Sequence, residues 1–180
     1  RISKFLSPYA ATKKTNELYA QVFADVYGIK LMGFRYFNIF GPRQDPDGAY
    51  AAVIPLFVKS IIKNTPAYIN GDGEQTRDFT FIDNAVQMNI KGMLTDNPDA
   101  LNTVYNVAVG ESFSVNYLYN ACCKHLESSL AAIYRAPRED DIRNSLADIS
   151  RAKELLGYQP TKSFAEGLAE TIELFKKRYS

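Results

Sequence analysis

The segment from Tyr9 to Phe37 most constrains what this chain can fold into. Leu18, Val22 and Val26 recur at four-residue steps with Tyr19 and Phe23 beside them, which predicts one helix over 9–27. Gly28 follows as a C-cap, because glycine alone enters the left-handed region without steric penalty. Lys30 to Phe37 is then predicted as a strand, and its mixed apolar content (Leu31, Met32, Phe34, Tyr36) suits a parallel strand buried on both faces. A capped helix running at once into a buried strand is a unit of a layered α/β protein.

The rest of the chain repeats this alternation. Residues 38–48 are dense in turn formers and predict a loop. Ala51 to Lys63 predicts a helix, Ala67 to Ile69 a short strand, and Asn70-Gly71-Asp72-Gly73 a turn. Phe79 to Ile82 leads into a helix expected to be capped by Asp83 and lined by Val86, Ile90 and Leu94. Val104 to Val109 predicts a strand, and Ser114 caps a helix reaching about Leu126. Ile133 to Arg135 predicts a short strand, and Asp148 is expected to cap the helix before Leu155-Leu156-Gly157. Ser163-Phe164-Ala165-Glu166 is a capping box opening a last helix with Leu168, Ile172 and Phe175 on one face. The expected class is α/β with parallel strands. The strands are few for 180 residues, and the chain starts at Arg1 without methionine, so it is expected to be the carboxyl-terminal part of something longer.

A net charge of +1 gives no argument for a nucleic-acid partner or an anionic membrane surface. No apolar run approaches the ~20 residues of a membrane span, and no signal peptide is expected ahead of Ser7. Cys122 and Cys123 are adjacent and offer neither a disulfide framework nor metal-ligand spacing, so the expected setting is reduced and cytoplasmic. His125, the one histidine, is read as structural.

Several residues carry candidate chemistry. Tyr9 and Lys13 leave the same face of the first helix, so a phenol and an ammonium can converge on one ligand. A nearby ammonium favours the phenolate and makes a tyrosine a usable acid–base group. Asn38 follows a predicted parallel strand, where α/β sheets bind ligands; it is either a turn residue or a hydrogen-bonding group for a sugar or phosphate oxygen. Arg77, beside the apolar run from Phe79, suits either a diphosphate or a surface ion pair. The run Arg138-Glu139-Asp140-Asp141-Ile142-Arg143 is either a solvated loop or a phosphate clamp in which Asp141 accepts from ribose hydroxyls. Gly71-x-Gly73 lacks the third glycine and the helix start of a dinucleotide fingerprint.

Taken in order, these motifs resemble the carboxyl-terminal half of an extended short-chain dehydrogenase/reductase, in particular the nucleotide-sugar epimerases similar to UDP-N-acetylglucosamine and UDP-glucose 4-epimerases. The segments that carry the resemblance are Ser7-Pro8-Tyr9-Ala10-Ala11-Thr12-Lys13, Arg35 to Gly41, Gln44 to Pro55, Tyr68 to Gly73 and Thr76-Arg77-Asp78-Phe79. Two more are Arg138-x-x-Asp141-x-Arg143-x-Ser145-x-Ala147-Asp148 and Leu156-Gly157-Tyr158-x-Pro160.

The resemblance implies a Rossmann-type fold with a smaller substrate-binding domain. Residues 1–48 would end the NAD-binding domain, and 49–180 would form mainly the nucleotide-sugar domain, with some segments returning to the Rossmann sheet. It implies NAD as cofactor, a UDP-sugar as substrate and a homodimer formed through the helix of Tyr9 and Lys13, with Leu18 and Val22 facing the partner. Tyr9 would be the acid–base, Lys13 would bind the nicotinamide ribose, and Tyr36 would flank the nicotinamide. Asn38, Ala52, Val53, Tyr68 and Asn70 would contact the sugar nucleotide. Arg77 and Arg138 would neutralise the diphosphate, with Asp141 on the ribose. Ser145, where related enzymes restricted to non-acetylated sugars tend to place a bulky residue, would leave room for a 2-N-acetyl group. The implied reaction is epimerisation at C4 through a 4-keto sugar. The alternatives are a dehydratase or decarboxylase of the same superfamily, or a non-catalytic UDP-sugar-binding remnant. The family's glycine-rich turn, acidic ribose-binding residue and upstream Ser or Thr are absent, so the chain alone is expected to be inactive.

Overall fold

A computed structural model describes residues 8–48, 51–138 and 141–179. Ser7 and residues 49–50 and 139–140 of the motifs above lie outside the described residues. Helix α1 (Pro8–Tyr27) is followed by β1 (Met32–Tyr36), β2 (Ile39–Phe40), α2 (Val53–Ile62), β3 (Tyr68–Asn70), β4 (Thr76–Arg77) and β5 (Thr80–Phe81). Then come α3 (Ile82–Leu94), a 3₁₀ turn at Pro98–Ala100, β6 (Thr103–Val107), β7 (Phe113–Ser114), α4 (Val115–His125), β8 (Ile133–Arg135), α5 (Ser150–Leu156) and α6 (Phe164–Tyr179).

The α/β class stands, with parallel pairs β1–β6, β2–β5 and β3–β8. One further pair, β4–β7, is antiparallel. Residues 38–48 are not all loop, since Ile39 and Phe40 pair with Thr80 and Phe81. Two sequence-predicted caps also differ. Phe81, not Asp83, occupies the N-cap of α3, and Asp83 sits in the first turn, where a carboxylate still complements the helix dipole. Ile149 takes the N-cap of α5, while the Asp148 carboxylate accepts from the Ser150 amide at 2.9 Å, one step earlier than a cap would. Other signals hold. The Ser114 hydroxyl accepts from the Tyr117 amide at 3.1 Å, and Ser163 and Glu166 exchange the reciprocal bonds of a capping box. Gly28 ends α1 at φ +64° with its N–H on the Ala24 carbonyl.

Two hydrophobic clusters organise the chain. In the first, α2, α4 and α6 close over β2, β3 and β5 around an aromatic group. Phe164 is its hub, with ring centroids 4.5 Å from Phe113, 5.7 Å from Phe79 and 5.9 Å from Phe40. Burying one such ring is worth about 1.5–3 kcal/mol, and the ring pairs add to that. In the second, α3 and α5 pack on β6 through Ala85, Met88, Tyr105, Val107, Ala152 and Leu156, with Met32 and Phe34 of β1 against them.

Two helices turn their predicted apolar stripes outward. On α1, Leu18, Tyr19, Val22, Phe23, Val26 and Tyr27 are 45–67% exposed, and only Ala24 is buried. On α3 the buried face carries Asn84, Ala85 and Met88, whereas Val86, Ile90 and Leu94 are exposed. The period identified both helices, but it named the stripe to be covered, not the face packed here. A polar contact ties α1 to β1: Arg35 forks onto Glu17 at 2.6 and 2.8 Å and holds that carboxyl down at about 2.

Asp78 joins both clusters. It is fully buried, and its carboxylate accepts from the backbone amides of Val109 (3.1 Å), Gly110 (3.0 Å) and Ala147 (3.4 Å). Its own carbonyl accepts from the Asn38 side chain at 3.1 Å. Burial pushes the carboxyl above its ordinary range, and the three amides pull it back only in part.

Two outcomes follow. Asp78→Asn replaces one acceptor oxygen with an amide that faces N–H donors, so the variant should lose about 1–3 kcal/mol in urea unfolding. Glu17→Gln should lose about 0.5–1 kcal/mol, since Arg35 is half exposed and the pair is partly screened. A carboxyl depressed on folding stabilises above its unfolded value and loses that contribution as pH falls through its folded value. The difference between wild type and Glu17→Gln should therefore be constant above about pH 5 and shrink toward pH 2, measured by chemical denaturation across that range.

Candidate functional site

A cavity of about 390 Å³ opens between α2, β3 and the segment after β8. Its apolar wall comes from Val53, Leu56 and Phe57 of α2 together with Phe79 and Val115. Its polar groups are Asn38, Tyr68, Asn70, Gln75, Arg77, Arg135, Arg138 and Asp141. Three guanidiniums against one carboxylate give the lining an excess of positive charge, which suits an anion.

The floor is the open edge of β3. Among the described residues only β8 pairs with this strand, and Ala67 and Gly71 make bonds to it: the Ile133 amide donates to Ala67, and the Gly71 amide donates to the Arg135 carbonyl. In a parallel ladder alternate residues face the partner, so the backbone groups of Tyr68 and Asn70 point the other way. Gln75 takes one of them, donating to the Asn70 carbonyl at 2.8 Å. The Tyr68 carbonyl and the Asn70 amide remain as an acceptor and a donor on that edge. The turn that ends β3 needs Gly73 at φ +76°, where an added Cβ would stand 2.0 Å from Asn116 Oδ1.

The wall opposite is stitched to β4. Arg77 pairs with Asp141 and donates to the carbonyls of Thr76 (2.7 Å) and Ile142 (2.5 Å). Thr76 bonds to Arg143 and Ser145 through backbone groups at 2.9 and 3.1 Å. Arg143 forks onto Asp72 at 2.6 and 2.9 Å, and this guanidinium, with the Glu74 amide, holds the Asp72 carboxyl down at about 2. The segment 141–145 is thereby tied to β4 and to the turn after β3, with Asp141 at the cavity.

Asn38, Val53, Tyr68, Asn70, Arg77, Arg138 and Asp141, expected from separate stretches of sequence, thus line one cavity. Asn38 itself sits at φ +34°, a strained turn position held by its bond to Asp78. Ala52 lines a smaller apolar cavity of about 150 Å³ that shares Asn38, Val53 and Phe79 with the larger one. Ser145 is half-buried against Thr76 and is not among the lining residues of either cavity.

Tyr9, Lys13 and Tyr36 stand apart from the cavity. Tyr9 is 70% exposed on α1, with Lys13 Nζ 5.1 Å from its ring centroid. Tyr36 ends β1 and donates to Asn89 at 3.0 Å. Sequence reasoning missed Gln75 and Arg135. A polar residue before an Arg-Asp pair is no signal for a buried amide, and Arg135 lies in a strand only three residues long.

The other reactive side chains are accounted for. Burial pushes the Cys122 thiol up to about 12, which makes it inert, and His125 lies exposed in the last turn of α4, where a basic group suits the helix dipole. Among the described residues no group of His, Cys, Asp and Glu could hold a metal ion, and no helix is long and apolar enough to cross a membrane.

The chain is similar to UDP-glucose 4-epimerase of Mycolicibacterium smegmatis, with 33% identity over 172 residues, 96% of this chain and 54% of that protein. Among solved structures it resembles UDP-N-acetylglucosamine 4-epimerase of Methanobrevibacter ruminantium in complex with UDP-N-acetylmuramic acid. The identity is 41% and the TM-score 0.88, over 96% of this chain and 54% of that one. It also resembles UDP-glucuronic acid 4-epimerase of Bacillus cereus in complex with UDP-glucuronic acid and NAD. There the identity is 32% and the TM-score 0.88, over 97% and 54% of the two chains. The chain spans about half the length of each of these relatives. The model of the GDP-mannose 4,6 dehydratase family matches residues 4–171, and the chain belongs to that family, within the extended short-chain dehydrogenases/reductases.

Proposed function

We propose that this chain is the nucleotide-sugar-binding part of an NAD-dependent enzyme that epimerises C4 of a UDP-hexose, with UDP-N-acetylglucosamine, UDP-N-acetylgalactosamine or their uronic acid forms as substrates. The cavity carries the reading. It sets Arg77 and Arg138 beside the open β3 edge, so a diphosphate and a flat hydrogen-bonding base can be held together. The Tyr68 carbonyl and Asn70 amide match the N–H and carbonyl of a pyrimidine imide. Asp141 accepts from the ribose hydroxyls, and Asn38 meets the sugar side of the diphosphate. With the diphosphate gripped and the hexose loosely held, the sugar can present either face to one catalytic group.

Tyr9 is that group in this reading. Its phenol takes the proton of the C4 hydroxyl and returns it after the 4-keto sugar has turned over. Lys13, one helical turn on, binds the nicotinamide ribose, and Tyr36 flanks the ring. Bound NAD supplies the hydride acceptor and donor. The residues of this chain fit only the nicotinamide end of that cofactor. Gly71-x-Gly73 runs from β3 into β4 and not into a helix, so it offers no helix N-terminus to a dinucleotide phosphate.

In this reading residues 1–48 end the cofactor domain and 49–180 are mainly the substrate domain, with β6 returning beside β1. The exposed stripe of Leu18 and Val22 supports a homodimer through α1, and the lack of disulfide spacing supports a cytoplasmic location. Room at Ser145 for a 2-N-acetyl group stays part of the proposal.

Calorimetry of this chain with UDP and with NAD tests the binding half. UDP should bind and NAD should not; binding of NAD alone, or of neither, would overturn the proposal. In the full-length enzyme Tyr9→Phe should cut kcat by about 10²–10⁴ with UDP affinity unchanged.

A further inference from the structure

Arg135 is a cation for which the motifs provide no role. It ends β8 directly opposite Asn70 in the β3–β8 register, and it lines the cavity beside the open strand edge. Its guanidinium carbon stands 3.2 Å from the centroid of the Tyr68 ring. For comparison, the Lys13 ammonium is 5.1 Å from the Tyr9 ring. The short approach lays the planar cation on the face of the ring.

Two other guanidiniums nearby are committed to carboxylates, Arg77 to Asp141 and Arg143 to Asp72, while Arg138 lines the cavity with no ring stacked on it among the described residues. Among the described residues no carboxylate pairs with Arg135; its orientation comes from an aromatic face. Arg135 is exposed, and a guanidinium is weakly hydrated and stacks on aromatic planes in a way an ammonium cannot. Arginine planes are a recurrent surface for unstacked bases.

We propose that Arg135 is a nucleobase-binding residue. Tyr68 holds the guanidinium flat, and the open face of the guanidinium stacks on the pyrimidine whose imide edge bonds to Tyr68 and Asn70. This rests on the nucleotide site proposed above and adds to it a residue and a mode of contact. Recognition by stacking makes Arg135 a base ligand, whereas Arg77 and Arg138 serve the phosphates.

The test is to titrate uridine, UMP and UDP into the wild-type chain, Arg135→Ala and Arg135→Lys at low and moderate salt, following binding by NMR and calorimetry. Arg135→Ala should weaken all three by one common factor, about tenfold, with the salt dependence of UDP binding unchanged. Arg135→Lys, which keeps the charge and loses the plane, should be as weak as Arg135→Ala. A loss that grows from uridine to UDP, or recovery in Arg135→Lys, would make Arg135 a phosphate ligand and overturn the proposal. Unchanged affinities in Arg135→Ala would overturn it while leaving the nucleotide site standing. If the wild-type chain binds none of the three, the nucleotide site fails and Arg135 falls with it. Arg135 is exposed, so the unfolding midpoint of each unliganded variant should match wild type and exclude a folding defect.

Discussion

A buried carboxylate holds this structure together. Asp78 would be costly to bury alone, and three backbone amides from two distant segments offset that cost. Those amides belong to the loop after β6 and to the stretch before α5, so the bonds join the two hydrophobic clusters. The same residue fixes Asn38 through its carbonyl, and its chain neighbours Arg77 and Phe79 face the cavity. The position of the cavity's polar groups thus depends on a carboxylate that is not among the lining residues.

The cavity follows from an unfinished sheet. Among the described residues β3 is paired on one side only, and Gln75 satisfies one of its inward groups while leaving the donor and acceptor on either side of Ile69 unpaired by another strand. An open strand edge usually invites aggregation, and here Asp141 and the wall of α2 line the cavity in front of it. Arg77 is held by two carbonyls and Asp141, and this preorganises a guanidinium that is otherwise long and mobile. α1 is built differently. It buries one alanine and is tied to β1 through Glu17 and Arg35, so the pair Tyr9 and Lys13 stands on a helix that faces outward.

Legibility in the sequence tracked the range of the interaction. Caps made by a residue for its own helix, at Ser114 and Ser163, were readable because donor and acceptor lie three residues apart. Asp83 and Asp148 were misplaced because an acidic residue near a helix start serves equally in the first turn or just before the cap. Val86, Ile90 and Leu94 have helical spacing yet face outward, since periodicity cannot say which of two apolar faces meets the sheet. Arg135 was invisible because its meaning comes from Tyr68, 67 positions away, brought within 3.2 Å by strand pairing.

By itself the sequence determined the alternation of helices and strands, the α/β class, the one-turn spacing of Tyr9 and Lys13, and the family to which its motifs belong. These depend on local propensity and on residue order, which are written in the chain. Tertiary structure alone decided that Asn38, Tyr68, Asn70, Arg77, Arg138 and Asp141 share one cavity, and that Ser145 is not among its lining residues. It also decided that β3 keeps an open edge and that Asp78 lies at the junction of two cores. Those facts depend on which distant strands pair and which carboxylates find their amides. Contacts across dozens of residues are fixed only when the whole chain has packed.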